Sequence, residues 1–109
     1  MGMYFYTETT MGQVHGRKYG DSNQTIICLH PMPYSGGYYD TFCTNLVSQT
    51  NIAAISLDML GYGQSSKIKE PVSIEDYAIN VIEVIKSLKD SKELPGKISL
   101  LGFSLSSAW

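Results

Sequence analysis

Three short runs rich in apolar residues constrain this chain more than any other feature. They span residues 25–29, 52–57 and 97–103. Short apolar runs of this kind are typical of strands that are buried on both faces, as in a parallel sheet. Between the first and second runs, and again between the second and third, apolar residues recur at the spacing of a helix. Strands that alternate with helices in this way predict right-handed crossovers and a mostly parallel sheet.

The residues before the first run predict an antiparallel hairpin. Residues 3–9 and 13–19 carry alternating Tyr, Phe, Thr and Val, and the turn signal Met11-Gly12 separates them. We therefore expect an α/β fold with the element order β-β-β-α-β-α-β. The first helix is expected over residues 38–48.

The second helix has a clear predicted start. Ser73 is a favourable N-cap residue, and Asp76 stands three positions later, where a capping box has its acidic partner. The apolar residues that follow recur at helical spacing, which predicts one buried face.

The composition of the chain limits the classes of binding partner that are expected. The 109 residues suffice for one small domain, and eight Lys and Arg against ten Asp and Glu give a net charge of −2. No basic patch is present, so nucleic acid is not an expected partner. No apolar run approaches the roughly 20 residues that span a bilayer, so no membrane association is expected. Cys28 and Cys43 lack metal-site spacing, and two buried thiols in a reducing cytoplasm are expected rather than the alternative of a disulfide.

The segment Gly102-Phe103-Ser104-Leu105-Ser106 ends the third apolar run and approximates Gly-x-Ser-x-Gly. A serine that attacks a carbonyl must project from a tight strand-to-helix turn, and small residues on both sides allow that turn. The alternative is a Gly- and Ser-rich turn without chemistry. The preceding strand and the two β-α units before it favour the nucleophile elbow, with Ser106 in place of the second glycine.

The loop after the first apolar run is Leu29-His30-Pro31-Met32-Pro33. Ligands in open α/β sheets bind beyond the carboxyl ends of the strands, so this loop is expected beside the elbow. The N–H groups of Met32 and Leu105 are candidate donors to an oxyanion, since the two prolines have none. His30 is interpreted as a structural histidine under the loop rather than a catalytic base.

Asp58 to Ser65 forms a third loop after the second apolar run. It lacks the Gly-Lys-Ser/Thr of a phosphate loop and the third Gly of a dinucleotide site. Asp58 is expected to accept backbone N–H groups within the loop rather than to act in catalysis. Tyr34, Tyr38 and Tyr39 are interpreted as residues of the core or of a helix face, and the alternative is that they line a pocket.

These three segments, in this order and each at a strand's carboxyl end, resemble the α/β-hydrolase superfamily. His30-Pro31-Met32-Pro33 resembles its His-Gly-x-Pro oxyanion loop, with Pro31 in place of Gly. Asp58 to Ser65 resembles its Asp-x-x-Gly-x-Gly-x-Ser loop, and residues 102–106 resemble its elbow. The resemblance extends over residues 3–109.

The resemblance implies a serine hydrolase in which Ser104 attacks an ester, thioester or amide carbonyl. Met32 and Leu105 would supply the oxyanion N–H groups, and His30, Asp58, Gly102 and Ser106 would shape the loops. The substrate would be a small molecule with an acyl group, and no metal or organic cofactor is implied. Relatives with Asp at the elbow, the dehalogenases and epoxide hydrolases, are disfavoured by Ser104.

In this superfamily the acid and the histidine of the triad follow the serine. Both histidines of the chain, His15 and His30, precede Ser104. Residues 1–109 are therefore expected to be the N-terminal portion of a single α/β-hydrolase domain, truncated after the elbow strand, and close to inactive alone.

Two other functions fit parts of the pattern. A non-catalytic binding or interaction protein on the same fold is one alternative, because fold does not determine function. A nucleotide-binding domain is the other, but His30-Pro31-Met32-Pro33 occupies the place where it needs a Gly-rich turn.

Overall fold

The computed structural model describes residues 3–31, 34–68, 72–91 and 96–102. The described elements follow the predicted order. The strands are β1 (Met3–Thr9), β2 (Gly12–Tyr19), β3 (Gln24–Leu29), β4 (Ala53–Leu57) and β5 (Lys97–Gly102). The α-helices are α1 (Asp40–Gln49), which a 3-10 turn (Gly36–Tyr39) precedes, and α2 (Ile74–Asp90).

The five strands form one mixed sheet in the order β1-β2-β4-β3-β5. β3 pairs in parallel with β4 on one side and with β5 on the other, so the three apolar runs lie next to one another. The hairpin of β1 and β2 adds to this parallel part through an antiparallel pairing of β2 with β4. The predicted sheet with an N-terminal antiparallel hairpin is confirmed.

The two helices cover opposite faces of the sheet. The chain passes from β3 to β4 in one direction and from β4 back past β3 to β5 in the other, so two right-handed crossovers must lie on opposite faces. Alternate strand residues confirm this arrangement: Ile27 and Leu29 belong to the core under α2, whereas Cys28 belongs to the core under α1. The described residues therefore form three layers, in which the sheet lies between the two helices.

The α2 layer is the larger of the two cores. Its buried residues are Val14, Ile27, Leu29, Ile55, Leu57, Met59, Leu60, Tyr77, Val81, Val84 and Leu88. The α1 core is small and contains Tyr19, Cys28, Tyr39, Cys43 and Ala54. Most of the apolar burial that stabilises the described residues is therefore on the α2 face.

The start of α2 is as predicted. The Ser73 hydroxyl oxygen accepts the N–H of Asp76 at 3.1 Å, and the Asp76 carboxylate accepts the N–H of Ser73 at 3.3 Å. Both bonds of the capping box are present, so two backbone donors at the helix start have partners.

Strand β5 differs from the prediction of a strand buried on both faces. Ile98 packs against the α2 core, but Leu100 is 53% exposed. Among the described residues, β5 pairs with β3 alone and is an edge of the sheet. An edge strand has neighbours on one side only, which leaves its side chains and one row of backbone groups accessible.

In the described part of the chain, no helix combines the length and the apolar character that crossing a membrane requires.

The capping box leads to a stability prediction for the gene product that contains this chain. Ser73→Ala removes the acceptor for the Asp76 N–H, and we expect the free energy of unfolding to fall by about 1 kcal/mol. Ser87→Ala, the same change at an exposed interior position of α2, is the control and is expected to be neutral or slightly stabilising. Urea unfolding of both variants provides the measurement. Equal losses in the two variants would contradict the capping role.

Candidate active site

The register of the three parallel strands brings their carboxyl ends to one level of the sheet. Leu29 pairs with Leu57 on one side and with Gly102 on the other. The ends of β3, β4 and β5 therefore lie at the same edge of the sheet at neighbouring positions. His30 and Asp58 are both fully buried there. The predicted residues Met32, Ser104, Leu105 and Ser106 lie outside the described residues, so their roles stay predictions.

The carboxylate of Asp58 connects these loops. Its Oδ1 accepts the N–H of Gly36 at 2.5 Å, from the segment after β3. Its Oδ2 accepts the N–H of Gln64 at 3.0 Å, from its own loop, and the Nδ1–H of His15 at 2.8 Å, from β2. Asp58 thus holds two loops and the hairpin together through one buried side chain.

The electrostatics of Asp58 favour the ionised carboxylate. Burial alone would raise the pKa of Asp58, but the N–H groups of Gln64 and Gly36, then His15 and Arg17, outweigh burial, so its pKa lies below the ordinary value. Charge-assisted bonds of this kind are stronger than neutral ones.

The Gly and Ser positions of the loop have structural roles around Asp58. Gly63 has a φ of +53°, and a Cβ atom at this position would collide with the Asp58 carboxylate. The Ser65 hydroxyl donates to the Asp58 carbonyl at 2.6 Å and accepts the N–H of His15 at 2.8 Å. The spacing Asp-x-x-Gly-x-Gly-x-Ser is thereby explained as a loop that wraps closely around its first residue.

His15 and Arg17 are contacts of Asp58 that the sequence interpretation missed. His15 is buried between the rings of Tyr4 and Tyr6, with centroid distances of 5.2 and 4.9 Å. The Arg17 guanidinium lies 3.9 Å from Asp58 Oδ1 and stacks over Tyr4 at 5.4 Å. Strand alternation puts residues 15 and 17 on one face of β2, and this is the sequence signal from which a shared partner could have been predicted.

His30 joins the loop after β3 to the loop after β4. Its Nε2 accepts the N–H of Met59 at 2.9 Å, which requires the proton to be on Nδ1. Nδ1 in turn donates to the carbonyl of Pro31 at 3.0 Å. Burial lowers the pKa of His30 and outweighs the opposing effects of the Pro31 carbonyl and Asp58. Both ring nitrogens of His30 therefore have a hydrogen-bond partner.

The three tyrosines near the site divide into two kinds. Tyr39 is buried, and its hydroxyl donates to the carbonyl of Leu29 at 3.1 Å. Tyr34 and Tyr38 are 57% and 47% exposed, with ring centroids 5.2 Å apart. Tyr39 is therefore a core residue, whereas the rings of Tyr34 and Tyr38 lie on the surface.

Over residues 3–31, 34–68, 72–91 and 96–102, no group of three or more His, Cys, Asp or Glu side chains is arranged to hold a metal ion.

No protein-family model and no curated protein matches the chain at the sequence level. Solved structures match it closely. A haloalkane dehalogenase from Agrobacterium tumefaciens superimposes with a TM-score of 0.82 at 21% identity, over 98% of this chain and 34% of its own. The chain has the fold of the N-terminal part of the α/β-hydrolases.

Two further α/β-hydrolase structures support the same fold. The thioesterase domain from the curacin biosynthetic pathway has a TM-score of 0.81 at 20% identity, over 96% of this chain and 36% of its own. An esterase from Exiguobacterium antarcticum has a TM-score of 0.81 at 24% identity, over 94% of this chain and 36% of its own. The chain thus spans about a third of the length of the α/β-hydrolases it matches, and its five-stranded sheet with the N-terminal hairpin matches the N-terminal part of their fold.

Asp58→Asn tests the role of the carboxylate in stability. We expect a loss of about 3 kcal/mol in the gene product, because the amide removes the charge and one acceptor from buried donors. Asp21→Asn is the control, because the Asp21 side chain is 92% exposed and its ion pair with Lys18 is of the weak surface kind. Denaturant unfolding at neutral pH provides the comparison.

The difference in stability between wild type and Asp58→Asn is predicted to depend on pH. The pKa of Asp58 is lower in the folded protein than in the unfolded chain, so its stabilisation is complete above about pH 4 and is lost as pH falls through the folded pKa. The difference in stability between wild type and Asp58→Asn must shrink over that acid range. A difference that stays constant with pH would contradict the ionised, hydrogen-bonded carboxylate.

His30 predicts a second pH effect with its own range. Because its pKa is lowered on folding, the unfolded chain takes up the proton first, and stability is lost as pH falls below about 6.5. We expect His30→Gln to be less stable than wild type at neutral pH but to lose less stability on acidification to about pH 5.5. Parallel stability curves would show that His30 is not buried as a neutral ring.

Proposed function

We propose that this chain belongs to a serine hydrolase that cleaves small-molecule esters, thioesters or amides through an acyl-enzyme at Ser104. The observation that carries the proposal is the pairing of Leu29 with Gly102. Through this pairing, Gly102, the residue before Phe103, lies beside Leu29, the residue before His30. A nucleophile and an oxyanion donor that start from adjacent strands at one level are what acyl transfer requires.

In the proposed reaction the Ser104 hydroxyl attacks the carbonyl carbon and gives its proton to a histidine. The N–H groups of Met32 and Leu105 donate to the oxyanion of the tetrahedral intermediate. The leaving group takes up the proton as the acyl-enzyme forms. Water then attacks the acyl-enzyme with the same histidine as base, and the acid is released.

Neither histidine of the chain suits the role of that base. The two ring nitrogens of His30 are hydrogen-bonded to Met59 and Pro31. His15 donates from Nδ1 to Asp58, and it lies on β2, which two strands separate from β5. A general base needs a free nitrogen within reach of the serine. We therefore propose that the histidine and acid of the triad come from sequence outside these 109 residues.

The residue at the elbow favours this reaction over others on the same fold. The matched structures include a haloalkane dehalogenase and an epoxide hydrolase, as well as an esterase and a thioesterase. By the family resemblance, the first two activities use Asp at the elbow, whereas this chain has Ser104. A cytoplasmic location is part of the proposal, and the two free cysteines support it.

A fluorophosphonate probe tests the proposal on the gene product that contains this chain. An activated serine attacks phosphorus and becomes covalently labelled. We expect labelling of wild type, complete loss in Ser104→Ala, and retention in Ser106→Ala, the matched control two residues away. Peptide mapping identifies the labelled residue.

Labelling that survives Ser104→Ala would contradict the assignment of the nucleophile. Absence of labelling in a folded wild-type protein, as judged by circular dichroism, would overturn the hydrolase proposal in favour of a non-catalytic binding role.

A further inference from the structure

The two cysteines of the chain meet between the sheet and α1. Cys28 lies on β3 and Cys43 on α1, and their sulfur atoms are 3.9 Å apart. Both side chains are completely buried, and both are free thiols. This pair joins two different structural layers and has no part in the proposed hydrolysis.

We propose that Cys28 and Cys43 are a redox modification site, at which a peroxide closes a reversible disulfide that fastens α1 to β3. The inference is independent of Ser104 and of the proposed hydrolase activity. It rests on the position of the two sulfurs, on their unequal acidity and on the thin packing of α1.

The sulfurs are close enough to bond after a small movement. A disulfide has an S–S length of about 2.05 Å, so the gap must close by roughly 2 Å. Rotation of one cysteine about its Cα–Cβ bond moves a sulfur atom by that order. The small Ala54 belongs to the same buried cluster, so the surroundings of the pair are not filled by bulky side chains alone.

The two sulfurs differ in acidity, so that one is suited to attack the oxidant and the other to attack the oxidised sulfur and form the disulfide. The hydrogen bond from Cys28 lowers the pKa of the Cys43 thiol, even though burial and Asp40 oppose this effect. The same bond, together with burial, raises the pKa of Cys28. Because the thiolate is the nucleophile, Cys43 is the sulfur that reacts first.

Access to the pair requires only local opening of α1. Of the ten residues of α1, Cys43 alone is buried, and Leu46 and Val47 are partly buried against the same cluster. A helix with so few buried contacts opens at a lower free energy than the core as a whole. A small neutral oxidant then reaches Cys43 without global unfolding.

The chemistry balances with hydrogen peroxide as the oxidant. The Cys43 thiolate attacks one peroxide oxygen and forms a sulfenic acid, and the other oxygen leaves as hydroxide, which takes the thiol proton to become water. The sulfur of Cys28 then attacks the sulfenic sulfur, and a second water leaves. Two thiols and one peroxide give one disulfide and two waters, and a dithiol reductant reverses the bond.

The disulfide would close the chain segment that contains the loop after β3. Residues 28 and 43 enclose His30 and Gly36, which bond to the β4 loop. A covalent link across a segment of this length restricts the unfolded chain and stabilises the folded one. Oxidation is therefore expected to raise thermal stability.

The test treats the folded gene product with hydrogen peroxide, blocks remaining thiols, and maps peptides without reduction. We expect a Cys28–Cys43 linked peptide pair, two hydrogens lighter than the two thiol peptides together. We also expect a Tm that rises by several degrees and returns to its starting value with dithiothreitol. In Cys43→Ala, which keeps a small apolar side chain at this position, peroxide must leave the Tm unchanged or lower.

The comparison of oxidised with reduced wild type needs no variant, so it holds even if Cys43→Ala folds poorly. Absence of the linked peptide under native conditions, or its appearance only in denaturant, would overturn the modification site. A linked peptide without a rise in Tm would overturn the proposed fastening of α1.

Discussion

The burial of one charged carboxylate, Asp58, is the constraint on which the rest of this sheet edge depends. A buried charge is costly unless hydrogen bonds and opposite charges surround it. Backbone N–H groups from two loops and His15 from the hairpin fulfil that requirement. Each of these donors has to be held at one place, so the carboxylate determines where the two loops and β2 lie relative to one another.

This constraint explains why the neighbouring residues are small. Gly63 and Gly36 bring their backbones close to the carboxylate, where a Cβ atom would meet its oxygens. Ser65 connects the Asp58 carbonyl to β2 through a short side chain. The glycine and serine positions of the loop therefore follow from the close approach of the backbone to a buried anion.

Opposite helix placement is the second condition for a site at this edge. The chain leads from β3 into α1 on one face of the sheet and from β4 into α2 on the other. His30 bonds across this divergence to Met59 and keeps the two loops in register. The proposed chemistry needs this arrangement, because backbone donors stabilise an oxyanion only when they are held in place beforehand.

The sequence by itself determined the order of the elements, the start of α2 and the structural role of the loop that follows Asp58. These features are local: apolar periodicity, the Ser73 and Asp76 pair and the spacing of Gly and Ser act over a few neighbouring residues. Only the tertiary structure decided that His15 and Arg17 meet Asp58 and that Cys28 meets Cys43, because these contacts join residues that strand pairing and helix packing bring together from distant parts of the chain.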